Sequence, residues 1–185
     1  MKKDLKIKDL VFEFGETVVT SFVVILLLYM LVASVEVVWG PSMEPSFYSG
    51  ERILVDRVTI KFSPLKRGEV VVFFPPNDNE KHYIKRVVGL PGDIFKVLDC
   101  NVVVSESGER FKLEEDYLKN GTCTVGGTAI KEGRSLKIGP TQYAFLGDNR
   151  EESLDSRVLG LVDKNRIIGR VVFRFWPISR IGFVN

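Results

Sequence analysis

From Val18 to Val35 the chain runs for 18 residues without a charged side chain, VVTSFVVILLLYMLVASV. As an α-helix rising 1.5 Å per residue, such a segment reaches roughly 27 Å, close to the hydrocarbon thickness of a bilayer. A cleaved secretory signal is the alternative, since a basic start, an apolar core and a Val-Ala-Ser near the end fit one superficially. Against it, the preceding flank is long and carries Asp4, Asp9, Glu13 and Glu16, and the apolar stretch exceeds a signal core. The sequence therefore predicts an N-terminal segment over 1–16, one transmembrane anchor helix over 17–38 and a separate domain over 39–185.

The rest of the composition is that of a folded domain. With 185 residues, 45% of them hydrophobic, the chain has enough apolar mass for one core beside the anchor, and disorder is not expected. Basic and acidic residues number 26 and 24, a formal charge of +2 with no basic stripe, which argues against a nucleic-acid partner. One histidine, His82, and two cysteines, Cys100 and Cys123, are too few and too scattered for a conventional metal site. The glycines form no phosphate-cradling fingerprint, so neither metal nor cofactor is expected.

Lys2, Lys3, Lys6 and Lys8 precede the apolar run, against Arg52 and Arg57 in the first stretch after it. That bias predicts a cytoplasmic N-terminus and an extracytoplasmic domain at the plasma (inner) membrane. In an oxidising compartment a Cys100–Cys123 disulfide becomes possible, two buried free thiols being the alternative.

After Gly40 the pattern is short and strand-like: ERILVDRVTI, EVVVFFP, YIKRVVGL, DIFKVLD, NVVVSE, QYAFLGD and RIIGRVVFRFWP, separated by Pro-, Gly- and Asn-rich turns. This predicts a mainly β domain, a twisted antiparallel sheet or barrel-like core. Residues 98–141 are more polar, hold both cysteines and read as an inserted β-rich lobe. Phe47, Tyr48, Ile60, Phe62 and Trp176 are assigned to the core by default, the bilayer interface being the alternative.

Just beyond the anchor stands GPSMEPS, Gly40 to Ser46. A serine hydroxyl is a poor nucleophile until a base takes its proton. His82 is the only imidazole available, and a lone histidine beside a strand is more often a surface or packing residue. Lys85, between Ile84 and Arg86 in an apolar strand, is the more interesting base. If its side chain points inward with Val87, lost hydration disfavours the ammonium and Arg86 adds to the effect, so a neutral amine becomes accessible near physiological pH.

Four segments in order carry a resemblance to a known family. GPSMEPS, RGEVVVF (Arg67 to Phe73), YIKRVVGLPGD (Tyr83 to Asp93) and GDNREESLDSR (Gly147 to Arg157) resemble the boxes of the bacterial type I signal peptidases, with a membrane span upstream as in that family. The resemblance implies Ser42 as nucleophile, Lys85 as general base and Ser153 as the hydroxyl that orients the lysine. It further implies an Asp155–Arg157 ion pair behind the site, Asp148 as partner of Arg86, and Val38, Met43, Tyr83 and Ile84 as substrate-pocket residues. Two positions depart from the family pattern: Gly40 stands where some members have a serine that helps bind the oxyanion, and Ser46 where many have threonine. Oxyanion stabilisation then leans on backbone N–H groups around Gly40 and Ser42.

The implied activity is removal of signal peptides from secretory preproteins after small residues of the Ala-x-Ala type. Membrane attachment would hold enzyme and substrate on one lipid bilayer and raise their effective concentration. Two other readings fit parts of the pattern: a specialised processing peptidase of the conjugation or organelle type, and a noncatalytic membrane-anchored β-domain that binds partners through a sheet edge.

Overall fold

The computed structural model describes residues 2–106 and 108–184, and it divides at Ser34 into two compact units. The first is a single helix, α1 (Lys2–Val32). Its stretch Ile7–Leu27 has mean hydropathy 2.0 over a membrane-spanning length, and Phe12, Phe14 and Phe22 are exposed, an apolar surface of the kind lipid covers. The helix begins earlier than the apolar run and stops sooner. Ala33–Val37 form a strand, β1, in which Glu36 alternates with β-branched Val35 and Val37, the pattern of a pleated ribbon.

The second unit is mainly β. The strands are β2 (Arg52–Asp56), β3 (Val70–Phe73), β4 (Tyr83–Gly89), β5 (Ile94–Leu98), β6 (Asn101–Glu106), β7 (Glu109–Lys112), β8 (Leu136–Lys137), β9 (Gln142–Leu146), β10 (Val162–Asp163), β11 (Ile167–Trp176) and β12 (Gly182–Phe183). Two single-turn helices, α2 (Thr59–Phe62) and α3 (Ser156–Leu159), interrupt them. The larger sheet has the order β1-β2-β11-β3-β4-β9-β10, with β12 added to β11, and curls into an antiparallel half-barrel. The smaller sheet, β7-β6-β5-β8, is the lobe. It opens at Ile94, somewhat before the 98 expected from composition, because β5 is as apolar as the main sheet and only its pairing with β6 assigns it to the lobe.

β4 decides where the site lies. It is buried over six of its seven residues, flanked by β3 and β9, and contributes to three core clusters: Ile84 to one, Val88 to another, Val87 to the third. A strand covered on both faces reads as a nearly unbroken apolar run, which is why Lys85 and Arg86 inside it stand out.

The cluster around Val88 joins the two sheets, bringing Ala144 and Leu146 of β9 against Phe95, Val97, Val102 and Val104 of the lobe. Within the lobe β5 and β6 form a hairpin whose turn, Asp99-Cys100, has φ of +49° and +64°, the left-handed geometry that two-residue hairpin turns require. Cys100 is disulfide-bonded to Cys123. Phe47 and Ile60 are core residues, but Tyr48, Phe62 and Trp176 are exposed, correcting the default assignment. Phe62 ends α2, Trp176 ends β11 and Tyr48 lies in the turn before β2, places where the sheet offers no covering layer.

Because Phe95 is fully buried in the core shared by lobe and main sheet, Phe95→Ala is expected to cost about 3–5 kcal/mol. The loss should appear in one cooperative urea transition for both sheets; a lobe that melts separately while the main sheet keeps its midpoint would contradict the shared core.

Candidate active site

Ser42 sits in a tight turn between β1 and β2. Gly40 opens it with φ +79°, a conformation that glycine adopts without steric cost. Phe47 N donates to Met43 O at 2.8 Å, closing the turn, and Met43 is fully buried beneath it. The serine's own carbonyl accepts from Asn149 N at 3.0 Å, which ties the turn to the loop after β9.

Lys85 reaches the serine from β4. Its Nζ is 2.7 Å from Ser42 Oγ and donates to Ile84 O at 2.9 Å, with the Tyr83 ring centroid 5.5 Å away. As an ammonium the group donates to Oγ; as a neutral amine it accepts the Ser42 proton while still donating to Ile84 O. Only 3% of Lys85 is solvent-exposed. Burial pushes its pKa down from 10.5 to about 8; the Asp155 and Asp148 carboxylates oppose that and Arg157 adds to it.

Those neighbours are themselves paired. Arg157 Nε and Nη2 meet Asp155 Oδ1 and Oδ2 at 2.9 and 2.8 Å, and the other contacts of that carboxylate are the Arg157 and Gly147 amides, at 3.1 and 3.0 Å. Arg86 forks onto Asp148 at 2.9 and 2.6 Å and donates to Gly68 O and Ser46 Oγ, with Tyr117 stacked 4.0 Å from its guanidinium. The sequence-based pairing of these four residues is thus present as geometry.

A groove of about 740 Å³ opens beside the serine and lysine, lined by Val38, Tyr83 and Ile84 among others. Met43 does not line it; it lies in the core cluster with Phe47 and Ile53. Ser153 Oγ is buried without a hydrogen-bond partner, against Gly147. His82 Nδ1 lies 3.1 Å from Glu36 Oε1. Cys100 and Cys123 belong to the lobe. Among the described residues no three His, Cys, Asp or Glu side chains are grouped as a metal ion would need.

Sequence reasoning missed Arg150. It is buried, donates from Nε to Gly147 O at 3.0 Å, and binds Glu115 and Thr124 of the lobe through its other nitrogens. Its place inside GDNREESLDSR was visible, but partners 35 and 26 residues away were not. Glu36, Trp39, Glu152 and Leu154 of the groove wall were also missed.

A buried amine held against a serine at the mouth of a peptide-sized groove, on a curled β-sheet, is an arrangement suited to serine-type hydrolysis. Comparison with known proteins gives the lineage: the profile described as "Signal peptidase, peptidase S26" matches residues 11–176. Signal peptidase IB of Staphylococcus aureus strain MRSA252 is 34% identical over 99% of this chain and 95% of its own. Probable signal peptidase I-2 of Synechocystis is 31% identical over 100% of this chain and 82% of its own. The crystal structure of a signal peptidase I from Enterococcus faecalis aligns at 24% identity and TM-score 0.47, covering 58% of this chain and 97% of the other. The chain belongs to the signal peptidase family of serine endopeptidases, peptidase S26.

Two expectations test the geometry. A Cβ on Gly147 would lie 2.5 Å from Ser42 O and 2.2 Å from Ser153 Oγ. Gly147→Ala should therefore displace the serine turn and lower kcat/KM roughly a hundredfold, and wild-type activity in that variant would show that the turn is not held there. The second concerns Lys85. The folded state binds the lysine proton less tightly than the unfolded chain, so the cost of burial is absent above about pH 10.5, grows as pH falls towards 8 and is complete below. It amounts to about 3 kcal/mol at 1.36 kcal/mol per pH unit. Lys85→Met is expected to stabilise the protein by up to that amount near neutral pH and by little at the alkaline limit, measured by urea unfolding at both.

Proposed function

We propose that the protein is a membrane-anchored signal peptidase I that cuts exported preproteins with a Ser42/Lys85 dyad. What carries the reading is the 2.7 Å contact between a hydroxyl and an amine whose pKa burial lowers to about 8. At neutral pH roughly a tenth of such lysines are uncharged, enough for a general base. The neutral amine takes the Ser42 proton as Oγ attacks the peptide carbonyl. The resulting ammonium returns that proton to the departing amine nitrogen, the C–N bond breaks, and the acyl group stays on Oγ. Water then attacks the ester, Lys85 again accepting a proton, and releases the carboxylic acid and free serine.

The oxyanion is assigned to backbone N–H groups, Ser42 N first, in the space that Gly40 leaves open. Ser153 is assigned to orienting Lys85: its buried hydroxyl lacks a partner, so a change of rotamer towards the amine costs it no existing bond. Asp155, Arg157, Asp148 and Arg86 hold the surrounding loops. The substrate lies extended in the groove with alternate side chains in shallow pockets at Val38, Tyr83 and Ile84, which favours small residues of the Ala-x-Ala type. Met43, which is buried, acts by supporting the wall. The apolar helix anchors the chain with its N-terminus in the cytoplasm and the β domain outside the plasma membrane. Ser42 follows the last residue of that helix by ten positions, a short tether to the membrane-embedded part of a signal peptide.

Ser42→Ala and Lys85→Ala should each lower cleavage of a purified preprotein by more than about a thousandfold with the fold intact by circular dichroism. In the wild type, kcat/KM is expected to rise with pH and level off above about 8 as the amine deprotonates. Retained cleavage in either variant, or a pH profile flat across that range with chemistry rate-limiting, would refute the dyad. N-terminal sequencing of the product identifies the bond.

A further inference from the structure

The groove beside Ser42 and Lys85 is lined by five more ionisable side chains that the proposed chemistry does not use: Glu36, Glu80, Lys81, His82 and Glu152. Two of them meet. His82 Nδ1 and Glu36 Oε1 stand 3.1 Å apart, and Phe74 backs the imidazole edge-on at 5.0 Å between centroids. Glu36 belongs to β1, the edge of the main sheet, whereas His82 immediately precedes β4, with three strands between them in the sheet order. The curl of the sheet brings them together, so the pair joins two walls of the groove.

Chain geometry sets how far this pair is from the reacting atoms. β4 runs extended from Tyr83, which puts His82 three residues, about 10 Å, along the strand from Lys85. On the other wall, Glu36 lies six residues ahead of Ser42 and four beyond the end of α1. An extended peptide with its carbonyl at Ser42 therefore passes the pair three residues before the attacked one, at the fourth position ahead of the bond. The side concerned is the one nearest in the chain to α1, where the apolar part of a signal peptide belongs.

We propose that the Glu36–His82 pair is a specificity contact for the residue four positions ahead of the cleaved bond, just beyond the Ala-x-Ala pockets. It admits hydrogen-bond donors and cations there and discriminates against carboxylates. This rests on the peptidase reading and on extended binding in the groove. The wall carries three carboxylates, Glu36, Glu80 and Glu152, against one exposed lysine, Lys81, itself 3.9 Å from Asp78, and the single imidazole of His82. The Glu36 side chain is 23% exposed and its partner 38%, so a peptide can reach the carboxylate. Each carboxylate offers about four lone-pair sites, and one histidine leaves room for a substrate hydroxyl or ammonium. A substrate carboxylate at the same place meets like charge.

The test uses the full chain in detergent and synthetic signal-peptide substrates that keep Ala-x-Ala before the cut and differ only by Ser, Lys or Asp at the fourth position. In the wild type, kcat/KM for the Ser and Lys peptides is expected to exceed that for Asp by about five- to tenfold. The preference should fall towards unity in Glu36→Gln and invert in Glu36→Lys. Because each ratio is internal to one enzyme, a general loss of activity does not alter it, and if Glu36→Lys fails to fold, the neutral variant decides. The same ratio in wild type and Glu36→Gln overturns the proposal and leaves the pair as a strut between walls. A wild-type protein that cuts none of the peptides and no preprotein overturns the peptidase reading, and this inference with it.

Discussion

The structure depends on keeping one amine away from water while holding it against one hydroxyl. Lys85 is the third residue of a seven-residue strand that is buried from Ile84 to its end, with Val71 of β3 as its register partner. Burial leaves the amine little hydration there, and the resulting penalty lowers the pKa to about 8. A lysine at the same sequence position on an edge strand would stay charged and inert as a base. The order β3-β4-β9, which buries β4 from both sides, is thus as much a part of the proposed chemistry as the lysine itself.

Around that amine the protein distributes charge in closed pairs. Asp155 and Asp148 each favour the ammonium, but each is forked to an arginine, and Arg157 works in the opposite direction on the lysine. A buried carboxylate without its arginine would pull the lysine back towards full protonation and would also be destabilising in its own right, since breaking one side of a buried pair typically costs about 3–5 kcal/mol. These pairs therefore secure loop geometry and protonation state together. Arg150 extends the same logic into the lobe: by binding Glu115, Thr124 and Gly147 O at once, it makes the lobe a support for the loop that carries Asn149 and hence for the serine turn. The lobe cannot be regarded as a passive insertion, because it also shares Phe95, Val97 and Val104 with the core under β9.

Much of this was legible in the residues. An uncharged run of membrane length, alternating valines after it, Lys85 inside an apolar strand and GDNREESLDSR near the end are local patterns, and local patterns follow from period, hydropathy and turn chemistry. Lineage was readable from the same segments because their spacing in the chain is itself the signal. Other features had no local mark. Tyr48, Phe62 and Trp176 look like core residues until the sheet leaves them uncovered, and β1 takes over the end of what reads as a helix because it pairs with β2.

By itself, then, the sequence determined the apolar helix and the mainly β character of the domain and singled out Ser42 and Lys85 as candidates, since each is encoded in a stretch of about ten residues. Only the tertiary structure decided that Nζ lies 2.7 Å from Oγ, that Arg150 fastens the lobe to the serine turn, and that Glu36 meets His82. These contacts join residues 43, 35 and 46 positions apart. The curl of a sheet sets them, and curl is a property of how strands pair and pack, which no window of sequence contains.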